Sequence, residues 1–191
     1  MKAWIRFAIC ALVGLAAGLA FAAHTVRGGA LGSNTPIGPW TTGTDFGTAD
    51  ASAKTRAVVA LRGLLALPAS EARYYQAATD DSGAPLDGRC SYKVTGGELP
   101  ARWWSLTVYD GAGYLVANAP NVYSLASLSL PPTEQSGWTA MVAPVQQPGH
   151  WLPTGGIDHF ELTLRAYLPA DGGKGNFERS QLPIITKQGC A

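Results

Sequence analysis

The sequence predicts a mainly β fold, an antiparallel sandwich or barrel with one N-terminal amphipathic helix. Three observations carry this. About seven short stretches are built of residues suited to strands, and several alternate apolar and polar positions. The cleanest sets Phe160, Leu162, Leu164 and Ala166 against Glu161, Thr163, Arg165 and Tyr167, the period of a strand with one buried side. Turn signals separate these stretches roughly every 8–12 residues. Finally, 23 glycines and 13 prolines punctuate a chain that is 47% hydrophobic and 14% charged, which suits one domain of short strands rather than a helical bundle.

Met1 to Arg6 is a short basic flank, and Phe7 to Ala23 follows without a charge. That length lies between a signal-peptide core and a full membrane span. Ala20-Phe21-Ala22 resembles a small-x-small cleavage site, so residues 1–23 read as a signal peptide or an N-terminal anchor. Either places Lys2 and Arg6 in the cytoplasm and the rest at the periplasmic face of the membrane or in the periplasm. If uncleaved, residues 7–23 hold the chain to the membrane. Residues 24–47, rich in glycine, serine and threonine, read as a flexible tether ending near Trp40. Residues 48–191 form the expected domain.

Within the domain, Asp50 to Leu67 predicts a helix. Asp50 is a candidate cap, Ala57, Val58, Leu61, Leu64 and Leu65 form an apolar stripe, and Pro68 stops it. Arg56 and Arg62 lie off the stripe as solvated charges. Glu71 to Ala78 and Arg89 to Val94 read as strands joined by the polar turn at Asp80, Asp81 and Asp87. That turn lacks the spacing of a calcium loop. Trp103 to Tyr109 is the central strand, and its two adjacent tryptophans face opposite sides. Asp110-Gly111 predicts a tight turn into a return strand over Tyr114 to Ala117. Ala126, Leu128 and Leu130 alternate as a further strand, Trp138 to Val142 is another, and residues 144–155 read as a loop carrying His150 and Trp151. Leu182 to Ile185 is a terminal edge segment.

Cys10 lies in the apolar run, which leaves Cys90 and Cys190 for a disulfide in an oxidising compartment, with two free thiols as the alternative. No CxxC or HxxxH spacing points to zinc, and the reading includes no metal and no cofactor. Apart from Lys2 and Arg6, 12 basic and 13 acidic residues remain. That balance offers no patch for nucleic acid.

Several motifs occur in a recognisable order: Tyr74-Tyr75 with Asp80, Gly83, Leu86-Asp87-Gly88 and Tyr92; Pro100 and Trp103 to Asp110; Gly113-Tyr114-Leu115, Asn118 and Tyr123-Ser124; Trp151-Leu152-Pro153; and Leu164 to Pro169. Over roughly residues 56–183 the chain resembles the "domain of unknown function 1214" family. The resemblance implies a jelly-roll-like β-sandwich and no established activity or cofactor. Family members often carry an upstream partner domain, numbered 1254; here a tether and leader stand in its place.

Those motifs are rich in groups that suit a polar, aromatic-walled cleft. Trp103, Tyr109, Asp110, Asn118, Tyr123, Trp151 and Arg165 are the candidate ligand-binding residues, for a small molecule or an envelope protein. The structural alternative pairs Arg165 with Asp110 and buries the tryptophans. A hydrolase acting on glycans or lipid-derived substrates would draw on Asp110, Glu161 and His159. Ser105 with His150 or His159 and Asp110 or Asp158 is the one triad that can be assembled, but Ser105 lies inside a strand without a nucleophile elbow.

Overall fold

The computed structural model describes residues 3–27, 35–43, 48, 51–61 and 67–190. The expected positions of Asp50, Arg62, Leu64 and Leu65, and the glycine-rich residues 28–34, lie outside them. Helix α1 (Ala3–Arg27) is exposed along nearly all its length, and it is long and apolar enough to cross a membrane. It runs unbroken past Ala22 and Ala23.

Part of the expected tether is folded. Strands β1 (Thr35–Ile37) and β2 (Trp40–Thr42) form a hairpin at the edge of a sheet. Gly38 turns it with φ of 64°, a value glycine adopts without strain. The Trp40 side chain is fully buried, and its indole N–H donates to the Pro183 carbonyl at 2.8 Å. Helix α2 spans Ala53–Leu61 among the described residues. Ser52 caps it among the described residues: its hydroxyl accepts the Thr55 amide at 3.1 Å.

The remaining strands are β3 (Ala72–Ala77), β4 (Cys90–Gly97), β5 (Ala101–Asp110), β6 (Ser124–Ala126), β7 (Gly137–Ala143), β8 (His150–Pro153), β9 (Phe160–Pro169) and β10 (Ile184–Cys190). They make a six-stranded sheet in the order β1-β2-β3-β9-β5-β6 and a four-stranded sheet in the order β10-β4-β7-β8. Every pairing is antiparallel except β7 with β8, which is parallel. One core fills the space between the sheets: Leu106, Leu162 and Leu164 from the large sheet meet Tyr92, Val94, Val142 and Ile185 from the small one. Trp104 stacks on Trp138 across the sandwich, ring centroids 4.7 Å apart. Gly96, opposite Trp138 on β4, makes room for that indole, because any Cβ there would collide with the ring.

Three expectations are corrected. The return strand over Tyr114 to Ala117 does not form beyond a single bridge between Tyr109 and Leu115. Both edges of β5 are already taken by β9 and β6, so the chain turns away after the Asp110 turn. Leu128 alternates in sequence, yet it lies on a 3-10 turn and is 84% exposed. His150 and Trp151, expected in a loop, lie on β8.

Cys90 and Cys190 are bonded and stand opposite each other at the end of the β4–β10 ladder. β10 pairs with β4 alone, so the bond fastens an edge strand to the small sheet. Cys190→Ser is expected to lower the unfolding free energy by about 2–5 kcal/mol, the usual range for a closed loop of this size. Urea denaturation of the full chain under non-reducing conditions measures this, and reducing agent should remove the difference.

Candidate functional site

Strand parity and register build the site. β5 and β9 pair from Ala101 opposite Pro169 to Asp110 opposite Phe160. Trp104, Leu106 and Val108 enter the core, so Trp103, Ser105, Thr107 and Tyr109 lie on the outer face of the large sheet. On β9 the same alternation turns Glu161, Thr163, Arg165 and Tyr167 outward. β3 continues the face, with Tyr74 opposite Arg165 and Gln76 opposite Thr163. Directly opposed side chains in such a ladder stand about 5 Å apart. A row of Tyr74, Arg165 and Ser105 therefore crosses the sheet, next to a row of Ala72, Tyr167 and Trp103.

Arg165 is the centre of this face. Its guanidinium donates to the Tyr109 hydroxyl at 2.7 Å and to Thr107 Oγ1 at 3.3 Å, and it lies 5.3 Å from the Tyr109 ring centroid. Trp103 and Tyr167 pack together, centroids 5.0 Å apart. The surrounding hydroxyls are largely withdrawn from water: Ser105, Thr107 and Thr163 are all buried. Burial raises the Tyr74 hydroxyl above its ordinary pKa, Tyr167 adds to the rise, and the Arg165 charge opposes it. One end of the face is covered by a small apolar cluster: Val58 of α2 with Ala72 and Tyr74, flanked by Val26 of α1, Leu67 and Tyr167.

Of the seven sequence candidates, Trp103, Tyr109 and Arg165 come together here. The other four serve elsewhere. Asp110 does not pair with Arg165; its Oδ1 accepts the amides of Ala112 and Tyr114 at 2.9 and 2.8 Å and closes its own turn. Asn118 bonds the Val116 and Val122 carbonyls and the Val122 amide, pinning the loop after that turn. The Tyr123 hydroxyl donates to Asn121. Trp151 belongs to the other sheet, and its indole N–H donates to the Ala143 carbonyl at 3.0 Å. Sequence reasoning missed Tyr74, Thr107, Thr163 and Tyr167; their shared parity is readable, but the pairing of β3, β9 and β5 that brings them together is not.

The acid–base candidates stay apart. Ser105 is on the outer face of the large sheet, whereas His150, on the small sheet, bonds Glu134 at 2.8 Å. Asp158 pairs with Arg89, and His159 is exposed. Glu161 and Asp110 lie on opposite faces of the β5–β9 ladder. The acidic turn is a polar lock: Asp80 Oδ1 accepts the Ser82 and Ala84 amides and the Ser82 hydroxyl, Asp81 takes Arg179 and the Ile185 amide, and Asp87 takes Arg89.

A family model described as a protein of unknown function, DUF1214, matches residues 71–171, more than half of the chain. The chain belongs to the DUF1214 family. The matched span holds β3 to β9 and every residue of the Arg165 face named above. Among solved structures this DUF1214 chain is similar to the VPA0106 protein from Vibrio parahaemolyticus, with 22% identity and a TM-score of 0.56 over 76% of this chain and 38% of that one. It is also similar to an uncharacterized protein from Burkholderia cenocepacia, with 15% identity and a TM-score of 0.43 over 61% of this chain and 29% of that one. The DUF1214 chain thus spans well under half the length of either. The likeness to VPA0106 shows the fold alone. No curated protein matches the chain.

Asp80 supplies a pH test of the lock. Burial alone would raise its carboxyl, but the Ser82 hydroxyl and the Ala84 and Ser82 amides outweigh it and hold the group below its ordinary 3.8. A carboxyl more acidic in the folded state stabilises above the unfolded value and loses that contribution as pH falls through the folded value. Asp80→Ala is expected to cost about 2–4 kcal/mol near pH 6. Its deficit against the wild type should shrink as denaturation is repeated below about pH 4.

Proposed function

We propose that this chain is a membrane-tethered binding module, non-enzymatic, that presents the Arg165 face to an anionic ligand at the periplasmic side of the membrane. The observation that carries the reading is the environment of Arg165. Among the described residues no carboxylate lies within ion-pair distance of it, and its partners are the neutral hydroxyls of Thr107 and Tyr109. A half-buried guanidinium has lost part of its hydration, and neutral acceptors return only part of that loss. Its planar fork matches phosphate, sulfate or carboxylate, and its bonds to Thr107 and Tyr109 leave part of its five-donor capacity for such a group. The Trp103–Tyr167 pair adds an aromatic wall beside it.

The tether reading rests on α1. The helix continues through the small-x-small site to Arg27, and Val26 packs on the cluster formed by α2 and β3. Cleavage after Ala22 or Ala23 would leave Val26 within a few residues of a new N-terminus, without the preceding helix that holds it in place. The basic flank at Lys2 and Arg6 supports a cytoplasmic N-terminus with the sandwich outside.

Full-length protein in detergent is titrated with inorganic phosphate while tryptophan fluorescence is followed. The wild type is expected to show a saturable change that Trp103→Phe reduces, and Arg165→Gln is expected to weaken binding by about tenfold or more. Equal binding by Arg165→Gln would defeat the reading.

A further inference from the structure

We infer that the ligand of the Arg165 face is the phosphate headgroup of an anionic phospholipid in the membrane that α1 enters. This rests on the anion-binding reading above and adds the source of the anion. The inference comes from depth. The stretch Phe7 to Val26 holds no lysine, arginine, aspartate or glutamate, and its 20 residues span about 30 Å at the rise of an α-helix, the thickness of a bilayer's hydrocarbon core. The headgroup layer on each side of a bilayer is about 5–7 Å thick. Val26 therefore stands at the inner boundary of that layer, packed on the cluster of Val58, Ala72 and Tyr74 against which Leu67 and Tyr167 also pack.

The Arg165 face begins at this cluster. Tyr74 is the register partner of Arg165, and Tyr167 lies two residues from Arg165 on β9, about 7 Å along the strand. Trp103, paired with Tyr167, is partly exposed. Tryptophan and tyrosine at the headgroup level are the usual composition of a membrane-interface belt. Apolar surface, an aromatic pair and a cation without a carboxylate partner among the described residues thus adjoin one another where α1 meets the sandwich. That grouping suits a lipid whose acyl chains lie beside α1 and whose phosphate reaches Arg165. A soluble phosphate would need the cation but not the aromatic and apolar steps leading to it.

The test uses the full chain in detergent, mixed with equal amounts of phosphatidylglycerol and phosphatidylcholine and examined by native mass spectrometry, with and without excess inorganic phosphate. Arg165→Gln and Tyr109→Phe are run beside the wild type; Tyr109→Phe keeps the charge and the aromatic ring and removes the hydroxyl that holds the guanidinium. The expected result is retained phosphatidylglycerol with about a tenfold preference over phosphatidylcholine. Arg165→Gln should abolish the preference, Tyr109→Phe should reduce it, and phosphate should compete only weakly. Phosphatidylglycerol held equally by all three proteins is lipid around α1 alone and overturns the inference. Arg165-dependent binding of inorganic phosphate without any lipid preference also overturns it, while leaving the anion-binding reading in place. Binding of neither phosphate nor lipid through Arg165 defeats both.

Discussion

The register between β5 and β9 is the constraint on which the rest of the molecule depends. It is the longest ladder among the described residues, and both strands are interior strands of the large sheet. With Ser105 opposite Arg165, the tryptophan, leucine and valine of β5 meet the leucines and alanine of β9 on the inner face. The hydroxyls, the arginine and the partly exposed aromatics meet on the outer face. Shifting one strand by a single residue would put Arg165 into the core and Leu164 into the polar row. One register therefore sets both the stability of the sandwich and the composition of the candidate site.

The two faces are held by different physics. Inside, large side chains interlock: Trp104 on Trp138, Tyr92 edge-on to Phe160, Tyr75 on Phe177. The first two contacts join the sheets and the third packs the segment before β10 onto β3, all through apolar burial. Outside and at the loops, order comes from carboxylates, amides and guanidinium groups that satisfy local backbone. Asp80, Asp110, Asn118 and Asp171 each close a turn on nearby amides or carbonyls. Arg73, nearly buried, fastens the 173–176 loop through the Gly173 carbonyl and the Asn176 side chain. Arg165 belongs to neither group. It closes no turn, and it fills no space between the sheets.

Much of this was legible in the sequence because it is local. Period-two alternation located β5, β7 and β9, the Asp-Gly pair located a turn, Trp40 announced itself as an anchor, and leftover cysteines announced their bond. What stayed hidden depends on which strands become neighbours. Tyr114 to Ala117 has the composition of a return strand but finds both sides of its intended partner occupied. His150-Trp151-Leu152-Pro153 looks like a loop between prolines and glycines, yet it pairs in parallel with β7 over four residues. The same limit applies to the site. Tyr109, Trp103 and Arg165 were readable as chemically apt residues, whereas their separation from Asn118, Tyr123 and Trp151 follows from turns and from the assignment of β8 to the other sheet. Asp110, the nearest carboxylate along the central strand, shares the parity of the core residues and is held by its own turn amides.

That last displacement is the ground on which the outer face is proposed as a ligand site. An arginine that served only as scaffold would gain most from a carboxylate, because a charge-assisted pair returns more of the lost hydration than a hydroxyl does. Asp110 was available in sequence and is spent on the turn; Glu161 is two positions along β9 from Thr163, in a different row of the face. Thr107 and Tyr109 orient the guanidinium without neutralising it. A guanidinium of fixed orientation with no carboxylate within ion-pair distance among the described residues is a costly arrangement for a folded protein standing alone. It is an economical one for a protein that meets an anion, since the side chain is already ordered when the anion arrives. On the proposed reading, the proximity of Val26 to the same face would set where that encounter takes place, because α1 and the arginine are separated by little more than one aromatic row.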